Sequence, residues 1–235
     1  MTNEDRKPHI SPAGLRAGMV ETWPFTLGLF VFAMALGAVA NQKGLTFLQA
    51  VGQSALVYAG ASQMLTLQMW TDHWTWGALA AAVGVTAAIN SRLLLMGATL
   101  RPWIGGLDPR LVYTSLFFLT DASFAIGARH HANGGRDYGV PLGAHIPLYL
   151  GWVGVTALGY LGGALIAHPE RYGVDLVLPL LFTTMFTPMA RRAPRWSPFA
   201  IAALVAIIVA QIAPGWFIVA GGLSGALSAA LLDEA

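Results

Sequence analysis

Two ionisable residues stand inside otherwise apolar runs. Arg92 lies in Ala-Ala-Ile-Asn90-Ser91-Arg92-Leu-Leu-Leu-Met, and Asp121 lies in Leu-Phe-Phe-Leu-Thr120-Asp121-Ala-Ser123-Phe. A charge at the centre of a membrane span costs about 2.5–3.5 kcal/mol on insertion scales, so such residues are functional candidates by default. Their signs are opposite and their runs are consecutive, which predicts that they pair directly or face one polar cavity. The competing reading is that Arg92 snorkels to an interface and Asp121 only neutralises it. A guanidinium suits a substrate carboxylate or Asp121 itself. A carboxylate suits a substrate ammonium or a coupling proton. Asn90 and Gln63 add neutral hydrogen-bonding groups at depth. Gln63 closes the run Tyr58-Ala59-Gly60-Ala61-Ser62-Gln63. So many small residues in mid-span permit either close helix packing or an unwound backbone. An unwound turn in this run would expose N–H and C=O groups able to grip both ends of an amino acid.

Other polar groups have simpler readings. Glu21 and Asp175 stand at span entrances, where the helix dipole favours a carboxylate. Thr183-Thr184 and Thr187-Pro188 mark a kink or satisfy their own helix carbonyls. His130-His131 sits in a polar link without neighbouring carboxylates, so no metal site is expected there. His145 and His168 are placed near interfaces. With no Cys, disulfide scaffolds, Cys-based metal sites and thiol nucleophiles are excluded. No P-loop, His-Glu-x-x-His or Gly-x-Ser-x-Gly motif occurs. No enzyme activity and no cofactor are therefore expected. An intramembrane enzyme acting on lipid remains only a distant rival.

The elements that must hold these residues follow from where charge is missing. Only 10% of the 235 residues are charged while 56% are hydrophobic, too few charges to cover a water-soluble surface. This excludes an ordinary soluble globule, a disordered chain and a nucleic-acid binder. Residues 22–42, 44–71, 73–91, 138–169, 176–190 and 196–232 contain no Asp, Glu, Lys or Arg. About 20 apolar residues in a helix cross the hydrocarbon core. The fold class is therefore all-α, a polytopic transmembrane helix bundle. Helices are expected over 22–42, 46–70, 74–99, 111–129, 142–167, 174–190, 198–213 and 215–232. The last two divide at Pro214-Gly215, which leaves the count at seven or eight spans.

Residues 1–13 read as a flexible cytoplasmic tail and 14–235 as a single transmembrane domain. Arg6, Lys7, Arg16, Arg129, Arg136, Arg191, Arg192 and Arg195 fall on the N-terminal side of the membrane. Lys43, Arg101, Arg110 and Arg171 fall opposite. That excess predicts a cytoplasmic N-terminus and a multi-pass protein of the plasma (bacterial inner) membrane. The first span is too long for a signal peptide. The Trp residues, including Trp152, mostly fall near span ends and read as interfacial anchors. A possible internal repeat links Leu36-Gly37 and Lys43-Gly44-Leu45-Thr46 with Leu158-Gly159 and Arg171-Tyr172-Gly173-Val174.

The chain resembles the AzlC family of branched-chain amino acid permeases, the large subunit of a two-component exporter. The likeness rests on four segments: Gly28 to Gly37 with Lys43-Gly44-Leu45-Thr46, then Tyr58-Ala59-Gly60-Ala61-Ser62-Gln63, Asn90-Ser91-Arg92, and Leu119-Thr120-Asp121-Ala122-Ser123-Phe124. Their order agrees across roughly residues 14–190. Ala122 stands where the family usually has an acid, and Leu93 where His is common. Proton coupling would then fall on Asp121 alone, or be arranged differently. The resemblance implies export of valine, leucine, isoleucine or similar small aliphatic amino acids. It also implies a small AzlD-type membrane subunit as partner, with a homo-oligomer allowed. Substrate-binding roles are expected for Gln63, Asn90, Arg92, Asp121, Gly60 and Tyr58, with Phe117, Phe118, Phe124 and Met64 as apolar walls. The rival expectation is a non-transporting assembly or sensor subunit.

Overall fold

The computed structural model describes residues 9–71, 73–165, 195–213 and 216–233. The expected span 174–190, the Pro214-Gly215 break, His168, Asp175 and the second limb of the repeat at 171–174 lie outside the described residues. Ten helices are described: α1 (Pro12–Glu21), α2 (Trp23–Gln42), α3 (Phe47–Val57), α4 (Gly60–Gln68), α5 (Trp76–Ile104), α6 (Pro109–Phe117), α7 (Asp121–Ala132), α8 (Gly139–Leu165), α9 (Ser197–Ile212) and α10 (Phe217–Asp233). Among the described residues the only strand-like pairing is an isolated bridge between His9 and Asp137. Three helices are long and apolar enough to cross a bilayer: α2, α5 and Gly139–Gly163 within α8. Shorter apolar helices include α3 and α9.

Helix starts follow their cap residues. Ser11 accepts from the Gly14 N–H and Pro12 opens α1. Thr46 and Gln49 form a reciprocal capping box at α3, with Thr46 N donating to Gln49 Oε1 at 2.8 Å. Two expected spans are not continuous. The helix expected over 46–70 stops at Val57 and restarts at Gly60. The helix expected over 111–129 stops at Phe117 and restarts at Asp121. Apolarity marks a stretch as buried in lipid or protein without stating that its backbone stays helical, which is why hydropathy alone joined these pieces.

The described residues divide into two units. The first holds residues 9–60 and 91–165, and the second holds 61–90, apart from residue 72, with 195–213 and 216–233. In the first unit α8 packs against α1, α2, α3 and α7. Its contact with α2 is a seam of small residues. A Cβ on Gly37 would overlap the Thr156 carbonyl, and one on Gly159 would overlap the Met34 carbonyl. Close backbone approach gives the van der Waals packing that holds helices together where lipid offers no hydrophobic drive. Gly37 and Gly159, the two Leu-Gly positions of the suggested repeat, thus lie in the same seam. In the second unit α9 and α10 pack in the same way, with Gly221 and Gly225 against Ala202 and Ala206.

His9 to Ser11, placed in the expected tail, are held against the segment before α8. Tyr138 N donates to His9 O at 2.7 Å. Asp137 accepts from the Ser11 hydroxyl, from Ser11 N at 3.0 Å and from Gly139 N at 2.8 Å. Burial works to raise the Asp137 carboxyl pKa, but these hydrogen bonds outweigh it and hold it below the ordinary carboxylate range. His131 is not in a solvated link as expected. It lies in the last turn of α7, buried, stacked 4.7 Å from the Trp103 ring, with Nδ1 bonded to Gly135 O at 2.8 Å. Burial lowers its pKa, against the raising effect of the Gly135 carbonyl.

A carboxyl whose pKa is lowered on folding stabilises the folded state above its unfolded pKa near ~4. That stabilisation is lost as pH falls through the lowered value. Asp137→Asn should therefore lower the melting temperature at neutral pH and remove part of its acid decline. Melting curves of the purified chain measured across pH check this, and identical curves for variant and wild type would dismiss the Asp137 latch.

Candidate functional site

A helix that stops leaves its last carbonyls and the next helix's first N–H groups without intrahelical partners. In a bilayer these must be met by protein or enclosed water. At the end of α3, Tyr58 takes the left-handed conformation with φ 45° and ψ 41°. That position usually carries Gly, and a side chain there costs roughly 1–2 kcal/mol. The neighbouring Ala55 carbonyl is met by the Tyr149 hydroxyl of α8 at 3.0 Å. Gly60, first residue of α4, has no room for a side chain because the Trp152 indole occupies that space. At the other break, Thr120 caps α7 through a capping box. Its Oγ1 accepts from Ser123 N at 3.2 Å, and Ser123 Oγ accepts from Thr120 N at 2.9 Å. Asp121 is thereby the first residue of α7, where the dipole favours a carboxylate.

The two breaks meet through aromatic rings. Tyr58, at the end of α3, lies 6.3 Å from Phe118, which follows the end of α6. Tyr149 touches both, at 5.1 Å and 4.9 Å. The His145 ring lies 6.2 Å from Phe118. His145 is therefore packed inside the protein. It is buried and joined to a polar chain in which Ser115 Oγ lies 3.0 Å from His145 Nε2 and 2.7 Å from Tyr138 Oη. Trp152 is likewise buried rather than an interfacial anchor, and packs edge-on against Phe32 at 5.5 Å. His145, Tyr149 and Trp152 follow one another at i, i+4 and i+7, one stripe of α8. That spacing was the available signal for these three; their apolar surroundings concealed it.

The expected pair forms. Arg92 Nη2 lies 2.9 Å from Asp121 Oδ2, linking α5 to the start of α7 within the first unit. The side chains keep 37% and 42% of their exposure. An ion pair anchored on the candidate span α5 with that much open surface calls for water or protein beside it, since acyl chains offer neither charge nor hydrogen bonds. The Arg92 Nε is itself buried without a partner among the described residues.

Gln63 and Asn90 belong to the second unit. There the Asn90 amide donates to Ser62 Oγ at 3.2 Å, and Gln63 and Met64 are buried in α4. Thr66 and Thr86 face each other at 3.5 Å between α4 and α5. Of the expected apolar walls, Phe118 joins the cluster at the breaks. Phe124 packs with Leu100, Ile104, Leu119 and Tyr138, and Phe117 is half exposed.

An uncharacterized membrane protein of Archaeoglobus fulgidus is 29% identical over 178 residues, covering 75% of this chain and 76% of that protein. No solved structure matches the chain. The model of the family described as AzlC protein matches residues 24–166, which include both helix breaks and the Arg92–Asp121 pair. The chain is a membrane protein and belongs to the AzlC family.

Proposed function

We propose that the chain is a transporter of seven or eight spans in the bacterial inner membrane, N-terminus cytoplasmic, which moves branched-chain or similar small aliphatic amino acids outward. One observation carries the reading. Two discontinuous helices meet at Tyr58 and Phe118, and the second restarts at an aspartate paired with a mid-helix arginine. Discontinuous helices are the device by which transporters present backbone groups and helix ends to a substrate and its coupling ion. Polar groups at depth suit the two charges of a zwitterion, and the neighbouring rings suit an aliphatic tail. Asp121 takes the substrate ammonium or the coupling proton, and Arg92 sets its charge. Tyr58 and Gly60 shape the first break. Binding roles for Gln63 and Asn90 belong to the same proposal, as does a small AzlD-type partner subunit. In this reading the chain catalyses no chemical change.

The test is labelled valine moving across proteoliposomes that hold the purified chain. An imposed pH gradient should change the initial rate several-fold, and Asp121→Asn should remove at least about nine-tenths of the flux together with the gradient dependence. A rate indifferent to the gradient would leave transport without proton coupling. Exchanging the charges, Arg92→Asp with Asp121→Arg, should keep the folded protein but not the flux. Full flux in the exchanged protein would make the pair structural. In cells, amino acid export should rise when an AzlD-type subunit is co-expressed; equal export without it would remove the partner from the mechanism.

The partial exposure of the ion pair also suits a non-transporting assembly subunit that docks another chain through it. Under that reading Arg92→Lys and Asp121→Asn would leave any flux unchanged and instead weaken co-purification of the docked chain.

A further inference from the structure

Buried polar side chains in folded proteins almost always find a hydrogen-bond partner, so exceptions point to a function. Three exceptions gather where the two helix breaks meet. Tyr58 Oη, His145 Nδ1 and Trp152 Nε1 are buried and have no hydrogen-bond partner among the described residues. The three residues are only 7%, 5% and 6% exposed. Tyr58 and His145 both flank Phe118, and Trp152 lies against Gly60 at the restart of α4. The Phe118 carbonyl lies near the imidazole but makes no aligned bond to Nδ1.

Hydrogen-bond inventory assigns what these atoms offer. An indole N–H can only donate. The Tyr138 hydroxyl has Ser115 as its one bond among the described residues, and the Ser115 hydroxyl reaches on to His145 Nε2. If the chain runs from Tyr138 to Ser115 to Nε2, every hydroxyl proton in it is used. The opposite direction would leave the Tyr138 proton without an acceptor. Nε2 therefore accepts, and the imidazole proton sits on Nδ1. Tyr58, with no acceptor beside it, offers its phenol proton. The result is three neutral donors against one backbone acceptor, the Phe118 carbonyl beside the imidazole.

We propose that Tyr58, His145 and Trp152 form a carboxylate-recognition site at the junction of the two helix breaks. Three donors beside a single carbonyl fit an anionic oxygen group better than an ammonium, which needs several acceptors. Phe118 and Tyr149 supply apolar surface for the remainder of the molecule. The proposal rests on the transporter reading and sharpens it. The substrate carboxylate goes to these donors, and Arg92 keeps Asp121 as its partner.

The purified full-length chain in nanodiscs, with tritiated leucine as probe, tests the assignment. Competition with 4-methylpentanoate, which keeps the carboxylate, should displace leucine. Isoamylamine, which lacks it, should do so at least about tenfold less well. Tyr58→Phe keeps the ring and its stacking but deletes the donor, and Trp152→Phe deletes the indole N–H. Each should raise the leucine Kd about tenfold or more. A second readout needs no ligand. Deleting an unpartnered buried hydroxyl should raise the melting temperature of ligand-free Tyr58→Phe by about 2–4 °C. Wild-type leucine affinity in both variants, or a lower melting temperature for Tyr58→Phe, would overturn the site while leaving the transporter reading intact. A wild-type chain that binds no leucine would overturn both.

Discussion

A backbone that leaves the helix inside a bilayer must find hydrogen bonds within the protein, and among the described residues two expected spans are interrupted. Each break exposes carbonyls on one side and N–H groups on the other. The remedies are specific. The Tyr149 hydroxyl meets the Ala55 carbonyl, the Thr120–Ser123 box meets the start of α7, and the Tyr160 hydroxyl meets the Leu45 carbonyl before α3. Two of these three come from α8. Through Tyr149 and Tyr160, α8 thus meets carbonyls at both ends of α3, while the second break is capped by its own Thr120 and Ser123.

The sequence revealed these features unevenly, for physical reasons. Charge gaps located α2 closely, with 22–42 expected and Trp23–Gln42 observed, because the absence of charge is what a bilayer selects. The Arg92–Asp121 pair was legible because two opposite charges in apolar runs have few other ways to be tolerated. The interruption at Tyr58 was half legible: small residues permit an unwound turn without requiring one. The interruption before Asp121 was not read, although Thr120 three residues before Ser123 is a cap-like spacing. Leu-Phe-Phe-Leu ahead of it reads as uninterrupted apolar helix. The burial of His145 and Trp152 was not read, because their partners, Ser115 and Gly60, are distant in sequence and give no local signal.

The ion pair owes its setting to the second break. A carboxylate at the first residue of a helix gains from that helix's dipole before any partner is counted. Had α6 and α7 been continuous, Asp121 would have sat in mid-helix without that gain, and only Arg92 would have offset its burial. The interruption thus lowers the cost of holding an acid at this position. The remaining exposure of both side chains keeps the carboxylate within reach of water, a proton or a ligand.

The contacts of α8 also differ in what they can exchange. Its seam with α2 is backbone against backbone at Gly37 and Gly159, where no side chain can be inserted and no contact replaced without separating the helices. Its contacts with the breaks are of another kind: a phenol on a carbonyl, an imidazole on a serine hydroxyl, rings edge to face. A hydrogen bond from a side chain can be traded for one to a ligand at little net cost, since each donor is satisfied before and after. A seam of glycines has no such substitute. If α8 is to respond to a bound molecule, the response must arise on the face toward the breaks, while the face toward α2 holds the helix in place.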